Sequence, residues 1–351
     1  MTKEIKRLIR TLYRTGRLER DEYELLIRNR TPSSARYLAR LAARVRRREY
    51  GRTVYIRGLI EIGNICKNDC LYCGIRRSSV CERYRLTPED ILECCREGYA
   101  LGFRTFVLQG GEDPHFTDEV LTELIRRIKS EFPEVALTLS LGERSNESYR
   151  ALREAGADRY LLRHETASEA HYKELHPSDM SYDGRMRCLR ELKSLGYQVG
   201  CGFMVGSPYQ TERELAEDLK FIEDFAPSMC GIGPFIPAAG TPLAEYGAGS
   251  LELTCYLLSI IRLIHPHLLL PATTALGSIH PRGREMGILA GANVVMPNLS
   301  PPSVRKKYAL YNGKATDGAE AAECLDSLKK RMKKIGYRVV TDRGDARPRV
   351  R

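Results

Sequence analysis

The chain of 351 residues is 42% hydrophobic and 29% charged, which excludes disorder, collagen and coiled coil and suffices for one large or two ordinary domains. Its formal net charge of +11 sits at the ends: residues 1–50 hold 15 basic and 6 acidic residues, residues 329–351 hold 10 and 2, and residues 51–328 hold 31 and 37. A mildly acidic body excludes a general nucleic-acid footprint, so the basic runs at 44–49 and 329–334 read first as solvated helix faces, with an acidic partner as the lesser alternative.

Before residue 51 apolar positions recur at helical spacing (Ile5, Leu8, Ile9, Leu12; Tyr23, Leu25, Leu26; Tyr37, Leu38, Leu41, Ala42), which predicts two or three leading helices. The opening MTKEIKRLIR has no apolar signal core, and the chain is expected in the cytoplasm. From residue 53 short strand-like runs alternate with amphipathic segments: 54–62, 105–109, 136–141, 159–165, 199–205, 230–236, 267–274 and 293–298. Each is followed by a helical segment. The first of these opens at Thr87-Pro88-Glu89-Asp90, with Thr as N-cap, Pro at N1 and acidic residues on the positive end of the dipole. The longest apolar stretch, Tyr256 to Leu270, is broken by Arg262, His265, Pro266 and His267, and falls short of the roughly 18 apolar residues of a membrane span. The last helix is expected from about Asp317 to Ile335, closed by Gly336, after which the chain reads as a frayed tail.

Eight strand–helix repeats predict an α/β fold, a (βα)8 TIM-type barrel over residues 51–336, with an N-terminal helical extension (1–50) and a basic C-terminal tail (337–351). The extension and the tail carry no motif; they are free to cover the barrel bottom or to meet a partner. In such a barrel, chemistry lies at the C-terminal ends of the strands. There fall CKNDCLYC after the first strand, QGGEDP after the second, LGER after the third, RHET at the fourth, and PATT and MPN at the seventh and eighth. Together they predict a large, roofed, polar pocket.

Eleven cysteines, an odd number, argue against a disulfide framework and for one metal site among buried thiols. Cys66, Cys70 and Cys73 form a CxxxCxxC cluster; the remaining eight are scattered and read mostly as core filler. Three thiolates from one loop can hold three corners of a four-iron four-sulfur cubane and leave the fourth iron open to a substrate. A four-cysteine zinc site completed by Cys81 is the competing reading, disfavoured because the paired CxxC knuckles of zinc folds are missing.

The CxxxCxxC spacing with an aromatic, Tyr72, before the third cysteine resembles the signature of radical S-adenosylmethionine (SAM) enzymes. Longer strings narrow the likeness. IEIGNICKNDCLYCGIRR, VLQGGEDP, LTLSLGE, DRYLLRHETA, GFMVGSPYQT, GIGPFIP, PATTALG and ANVVMPNLSP, in this order, resemble the HydE family of FeFe-hydrogenase maturation enzymes. The resemblance covers roughly residues 55–314 and must be told from biotin synthase and methylornithine synthase. It implies a SAM-cleaving enzyme whose cluster is held by Cys66, Cys70 and Cys73. Tyr72, Gly110, Gly111, Glu112, Glu165, Arg185, Met229 and Tyr308 match cofactor-binding positions, and Gln109, Thr138, Arg163, Thr273 and Thr274 match polar positions around the substrate cavity. The implied substrate is a small cysteine-ligated iron carbonyl cyanide synthon, with the maturases HydG and HydF and a reducing electron donor as partners. An Arg beside two hydroxyls suits such an anion.

Blander readings stand beside these. Arg163 and Glu165 alternate on one strand and could be a structural ion pair; His164 between them reads as a satisfied inter-layer histidine. Thr273 and Thr274 are ordinary strand residues by type, Met229 ordinary core, and Gly110-Gly111 an ordinary turn. Some members of the family carry extra C-terminal cysteines for a second cluster, whereas this chain offers only Cys324 there, so none is expected. Two other functions compete: a radical SAM amino-acid mutase of the methylornithine synthase or biotin synthase type, and a metal-binding structural protein whose basic ends contact nucleic acid.

Overall fold

A computed structural model describes residues 1–316 and 322–347. The chain opens with α1 (Lys3–Thr15), α2 (Arg20–Arg28) and α3 (Pro32–Tyr50). Thr2 caps α1 by accepting from Ile5 N, and Gly16 ends it in the left-handed region at φ 70. The predicted face of Ile5, Leu8, Ile9 and Leu12 is buried. Thr31 and Pro32 open α3 as N-cap and N1.

The expected first strand is two, β1 (Thr53–Ile56) and β2 (Gly58–Gly63), broken at Arg57 where the neighbours change. The chain continues through α4 (Pro88–Ala100), β3 (Thr105–Gly110), α5 (Asp118–Glu131), β4 (Ala136–Ser140), α6 (Asn146–Ala155), β5 (Arg159–Leu161), α7 (Glu169–Leu175) and α8 (Tyr182–Ser194). Thr87 is the N-cap of α4 expected from the sequence, and Asp90 completes a capping box with it. Next come β6 (Gln198–Cys201), β7 (Met204–Val205), α9 (Glu212–Phe225), β8 (Met229–Cys230), β9 (Gly233–Pro234) and α10 (Leu251–Ile264). The chain then forms α11 (Thr274–Ile279), α12 (Gly283–Leu289), β10 (Val294–Val295), α13 (Pro302–Arg305), a 3-10 turn (Ala322–Cys324), α14 (Leu325–Lys334) and β11 (Arg338–Val340).

Strands β2-β3-β4-β5-β6-β8 form one parallel sheet, and single bridges close it into a ring. Met229 bridges Leu269, Pro271 bridges Val294, β10 pairs with β1, and Leu59 bridges Asn298, so eight strand positions enclose the barrel core. The seventh position, expected as a strand over 267–274, contributes only bridge residues: Pro271 has no N–H to give to a ladder, and Thr273 already caps α11.

Two expectations about the chain ends are corrected. The leading helices cover a flank, with α1 and α3 packed on α10 and α2 on α9, and this explains why α10 is apolar almost all round: it is sandwiched between barrel and extension. The barrel bottom is closed instead by the C-terminal segment, which is not frayed through Arg347. β11 pairs in parallel with β1 (Val54 opposite Val339), Thr105 Oγ1 donates to Arg343 O at 2.7 Å, and Asp345 accepts from Arg159 at 2.6 Å and Gln198 at 3.0 Å. The start of the last expected helix, 317–321, and residues 348–351 lie outside the described residues. No described helix is long and apolar enough to cross a membrane.

Candidate active site

A cavity of about 350 Å³ opens at the C-terminal ends of the strands, within the range of small-molecule sites. Tyr72 and Cys73 stand at its rim; Gln109, Gly110, Arg163, Glu165, Arg185, Met229, Thr273, Thr274 and Tyr308 line it. These predicted residues come from loops and strand ends as far as 236 positions apart, from Tyr72 to Tyr308, as a barrel mouth requires.

The loop after β2 is braced from several sides. Asp69 accepts from Arg76 Nε and Nη2 at 2.7 and 2.6 Å and from Ser78, and these bonds hold its carboxyl well below the usual range. Arg83 donates to the carbonyls of Ile75, Arg76 and Ser79. Glu112 ties three loops: its N–H donates to Cys66 Sγ at 3.3 Å, its Oε1 accepts from Glu143 N at 2.9 Å, and its Oε2 lies 3.3 Å from Lys67 Nζ. Gly111 is needed there, because a Cβ would lie 2.3 Å from Ile65 O and 2.6 Å from Cys66 Cβ.

Cys66, Cys70 and Cys73 share this loop, yet among the described residues no group of three or more His, Cys, Asp or Glu side chains converges at metal-binding spacing, with or without Cys81. Burial pushes the Cys73 thiol up to about 12 and raises Cys66 and Cys70 as well. The donor set fits an iron–sulfur cluster in chemistry and position: three thiols on one braced loop, with Cys73 at the cavity rim and Gly111 leaving the loop room.

Within electrostatic reach of this loop, Arg163 Nη2 lies 3.1 Å from Glu165 Oε2, so the ion pair exists, but it is not aligned as a hydrogen bond: Arg163 Nε and Nη2 and Glu165 Oε2 are buried without one. Unsatisfied buried groups facing a cavity are ready for a ligand. Glu165 also sits at φ 65, a left-handed conformation rare for a non-glycine residue. Arg185 is locked by donating to Glu143 Oε1 at 2.5 Å and to Arg163 O at 2.6 Å. Thr273 Oγ1 donates to Ile232 O at 3.2 Å, and Thr274 Oγ1 accepts from Arg284 at 3.4 Å. Tyr72 Oη lies 3.4 Å from His176 Nε2, and His176 Nδ1 donates to Tyr172 O. His164 behaves as expected of a structural histidine: Nε2 donates to Asp218, Nδ1 accepts from Gly202 N, and burial beside Arg163 and Arg185 lowers it to about 3.

Several predicted residues lie elsewhere. Cys66, Cys70, Gly111 and Glu112 stand behind the cavity wall; Glu112 lines an outer cleft with Lys67 and Arg144. Thr138 is below the floor, lining a void of about 10 Å³ with Arg57 and Arg159, because Leu161 and Met229 separate that void from the main cavity. Reading the sequence missed Glu61 and Lys314. Glu61 is fully buried, accepts from Asn298 Nδ2 at 2.9 Å and pairs with Lys314 Nζ at 2.5 Å. A charged residue inside the otherwise apolar GLIEIG strand was the available signal for Glu61.

Residues 60–222 match the Radical SAM superfamily. The chain is 44% identical over 308 residues, 88% of both chains, to the FeFe hydrogenase maturase subunit HydE of Thermotoga maritima. A crystal structure of methylornithine synthase superposes with a TM-score of 0.85 at 26% identity, covering 95% of this chain and 97% of that one. A structure of the maturase HydG shares the fold, with a TM-score of 0.82 at 18% identity over 97% of this chain and 77% of that one.

Proposed function

The chain belongs to the HydE family of FeFe-hydrogenase maturases within the radical SAM superfamily and is an enzyme of hydrogenase maturation; from that premise we propose the substrate, ligand set and residue roles that follow. The observation that carries the reading is one cavity lined by Tyr72 and Cys73 together with Arg163, Thr273 and Thr274. The substrate is a small cysteine-ligated iron carbonyl cyanide complex.

Cys66, Cys70 and Cys73 would hold a four-iron four-sulfur cluster through three thiolates, with one iron left open. When bound and reduced, it supplies the electron that cleaves the SAM sulfonium into methionine and a deoxyadenosyl radical. The chain's own residues bind and orient. Gly110 and Gly111 keep the methionine end close to the loop, and Glu112 positions that loop through Cys66 and Glu143. Glu165 and Arg185 contact the polar groups of SAM, Arg185 being fixed in advance by Glu143. Tyr72, Met229 and Tyr308 pack around the cofactor and exclude water. Arg163, with Thr273 and Thr274, holds the substrate anion by charge-assisted hydrogen bonds, and Gln109 orients it. Thr138 acts through the barrel floor rather than on the substrate. HydG supplies the substrate, HydF receives the product, a low-potential donor reduces the cluster, and the work is done in the cytoplasm.

Methylornithine synthase is the alternative the fold keeps open, since its structure superposes over nearly the whole chain. One experiment separates the two. Methionine release by the anaerobically reconstituted, reduced protein is measured with the iron complex and with L-lysine. Stimulation by the iron complex alone supports the maturase reading; stimulation by lysine alone refutes it.

A further inference from the structure

The segment 307–315 crosses the mouth of the cavity as a strap. Asn64 Nδ2 donates to Lys307 O at 2.8 Å, Gly74 N to Leu310 O at 2.9 Å, and Ala315 N to Ser278 Oγ at 3.0 Å. Two bolts hold the strap to the barrel. Glu61 pairs with Lys314 at 2.5 Å, and Gln109 Nε2 donates to Tyr308 Oη at 3.3 Å. Glu61 and Gln109 are register partners on β2 and β3, so both bolts spring from one rung of the barrel, next to the register shift between Glu61 and Gly63.

Outside the strap lies a second cavity of about 460 Å³, reached past Val80, Ala239 and Lys306. Tyr308, Tyr311 and Lys314 line both cavities and are therefore the wall between them. No Asp or Glu lines the outer cavity among the described residues. Arg305 is already committed to Glu323 at 2.6 and 3.0 Å, whereas Lys306 is exposed. The Lys314 side chain is 8% exposed, its Nζ lies over the Tyr308 ring at 4.7 Å and donates to Tyr308 O at 2.8 Å. Lys314, the cation that spans the thin wall between the two cavities, can exchange its carboxylate for a passing anion, and Glu61 then keeps the hydrogen bond it accepts from Asn298 Nδ2.

We propose that the outer cavity is the entrance by which an anionic substrate reaches the inner one, and that Lys314 exchanges Glu61 for the anion as it passes. This rests on the reading of the substrate as an anionic iron complex. Lys306 gathers the anion at the surface, Lys314 carries it across the wall, and re-forming the Glu61–Lys314 pair closes the site behind it.

The test follows binding of the cysteine-ligated iron carbonyl cyanide complex to the cluster-loaded enzyme by stopped-flow absorbance. Ala239→Trp narrows the entrance without touching the inner cavity. Association and dissociation rates are expected to fall together by about tenfold with Kd unchanged, because a door slows both directions equally. SAM cleavage in the absence of the iron complex stays at the wild-type rate. Lys314→Met slows association and Lys314→Arg restores it, whereas Lys306→Met removes most of its dependence on salt. An unchanged association rate in Ala239→Trp or in Lys314→Met, or a salt dependence that survives in Lys306→Met, overturns the entrance. A wild-type enzyme that does not bind the iron complex overturns the substrate reading itself and the entrance with it, an outcome distinct from failure of the variants.

Discussion

Two adjacent glycines, Gly110 and Gly111, answer differently to the same substitution. An alanine methyl at Gly111 would lie 2.3 Å from Ile65 O, 2.6 Å from Cys66 Cβ and 3.0 Å from Cys66 Cα, all in the backbone or first side-chain carbon of the loop bearing the first cysteine. No flexible side chain can yield, so the loop itself must retreat by about 1 Å to reach ordinary contact. At Gly110 the nearest atoms, Ile62 Cγ1 and Gly63 O, are 3.3 and 3.4 Å away, a small adjustment. Overpacking of the Gly111 kind costs about 1–3 kcal/mol. Over a chain of this length the unfolding entropy is about 0.7 kcal/mol/K, so Tm falls by about 1.5–4 °C. The larger effect is on function, because the displaced atoms carry Cys66. Iron and sulfide per chain after anaerobic reconstitution, with thermal scans of both variants, provide the assay. Gly111→Ala is expected to lose cluster and stability, Gly110→Ala to keep both. Full cluster content in Gly111→Ala, or the opposite ranking of the two variants, would refute the argument from close approach.

Replacing any one of Cys66, Cys70 or Cys73 by Ala is expected to abolish SAM cleavage while Cys324→Ala leaves it intact, as read by methionine release; the reverse pattern removes the ligand assignment. Arg163→Ala is expected to reduce substrate-stimulated turnover at least tenfold, the loss of about 1.4 kcal/mol or more of charge-assisted binding, with cluster content unchanged; equal loss of both marks the ion pair with Glu165 as structural. Burial lowers His164 and His176 each to about 3, whereas the unfolded chain titrates them near 6.5. Protons therefore bind the unfolded state first as pH falls from 6.5 toward 3, and stability drops by about 1.4 kcal/mol per pH unit for each histidine. Denaturant midpoints that do not move between pH 7.5 and 5.5 contradict this. Asp345→Asn strips the carboxylate from Arg159, which is 3% exposed; Asp345 is itself 40% exposed, and screening reduces the cost of breaking a buried pair to about 1–3 kcal/mol. An unaltered denaturation midpoint counts against a structural role for the C-terminal segment.

Local signals were the legible ones. The helix cap at Thr87, the apolar faces of the leading helices and the alternation of strands with helices are each written within a few residues, and the barrel follows from their count. The cavity wall was legible to the extent that strand ends in a barrel converge, which brought Gln109, Arg163, Thr273 and Thr274 together. What depends on a distant partner was not. The Glu61–Lys314 pair joins residues 253 positions apart, and nothing near either one marks the other. Thr138 missed the cavity because the sequence says which strand a residue is on but not its height along the barrel axis. The last segment read as a tail because TDRGDARPR is polar and glycine-bearing; its burial depends on Arg159 and Gln198, which come from different strands.

The position of β11 bears on how the protein is made. β1 has β10 and β11 as its partners, and both are synthesised at least 238 residues after it. The ring therefore stays open until those residues have been made, and pairings of such long sequence separation form slowly. Until then the loop bearing Cys66, Cys70 and Cys73, made just after β2, belongs to an incomplete barrel. Iron delivered before that would meet three thiols without a finished wall, so cluster insertion is placed after β10 and β11 have closed the ring. A tag fused at the C-terminus would meet the same order of events, since the residues it follows must still find their seat beneath the barrel.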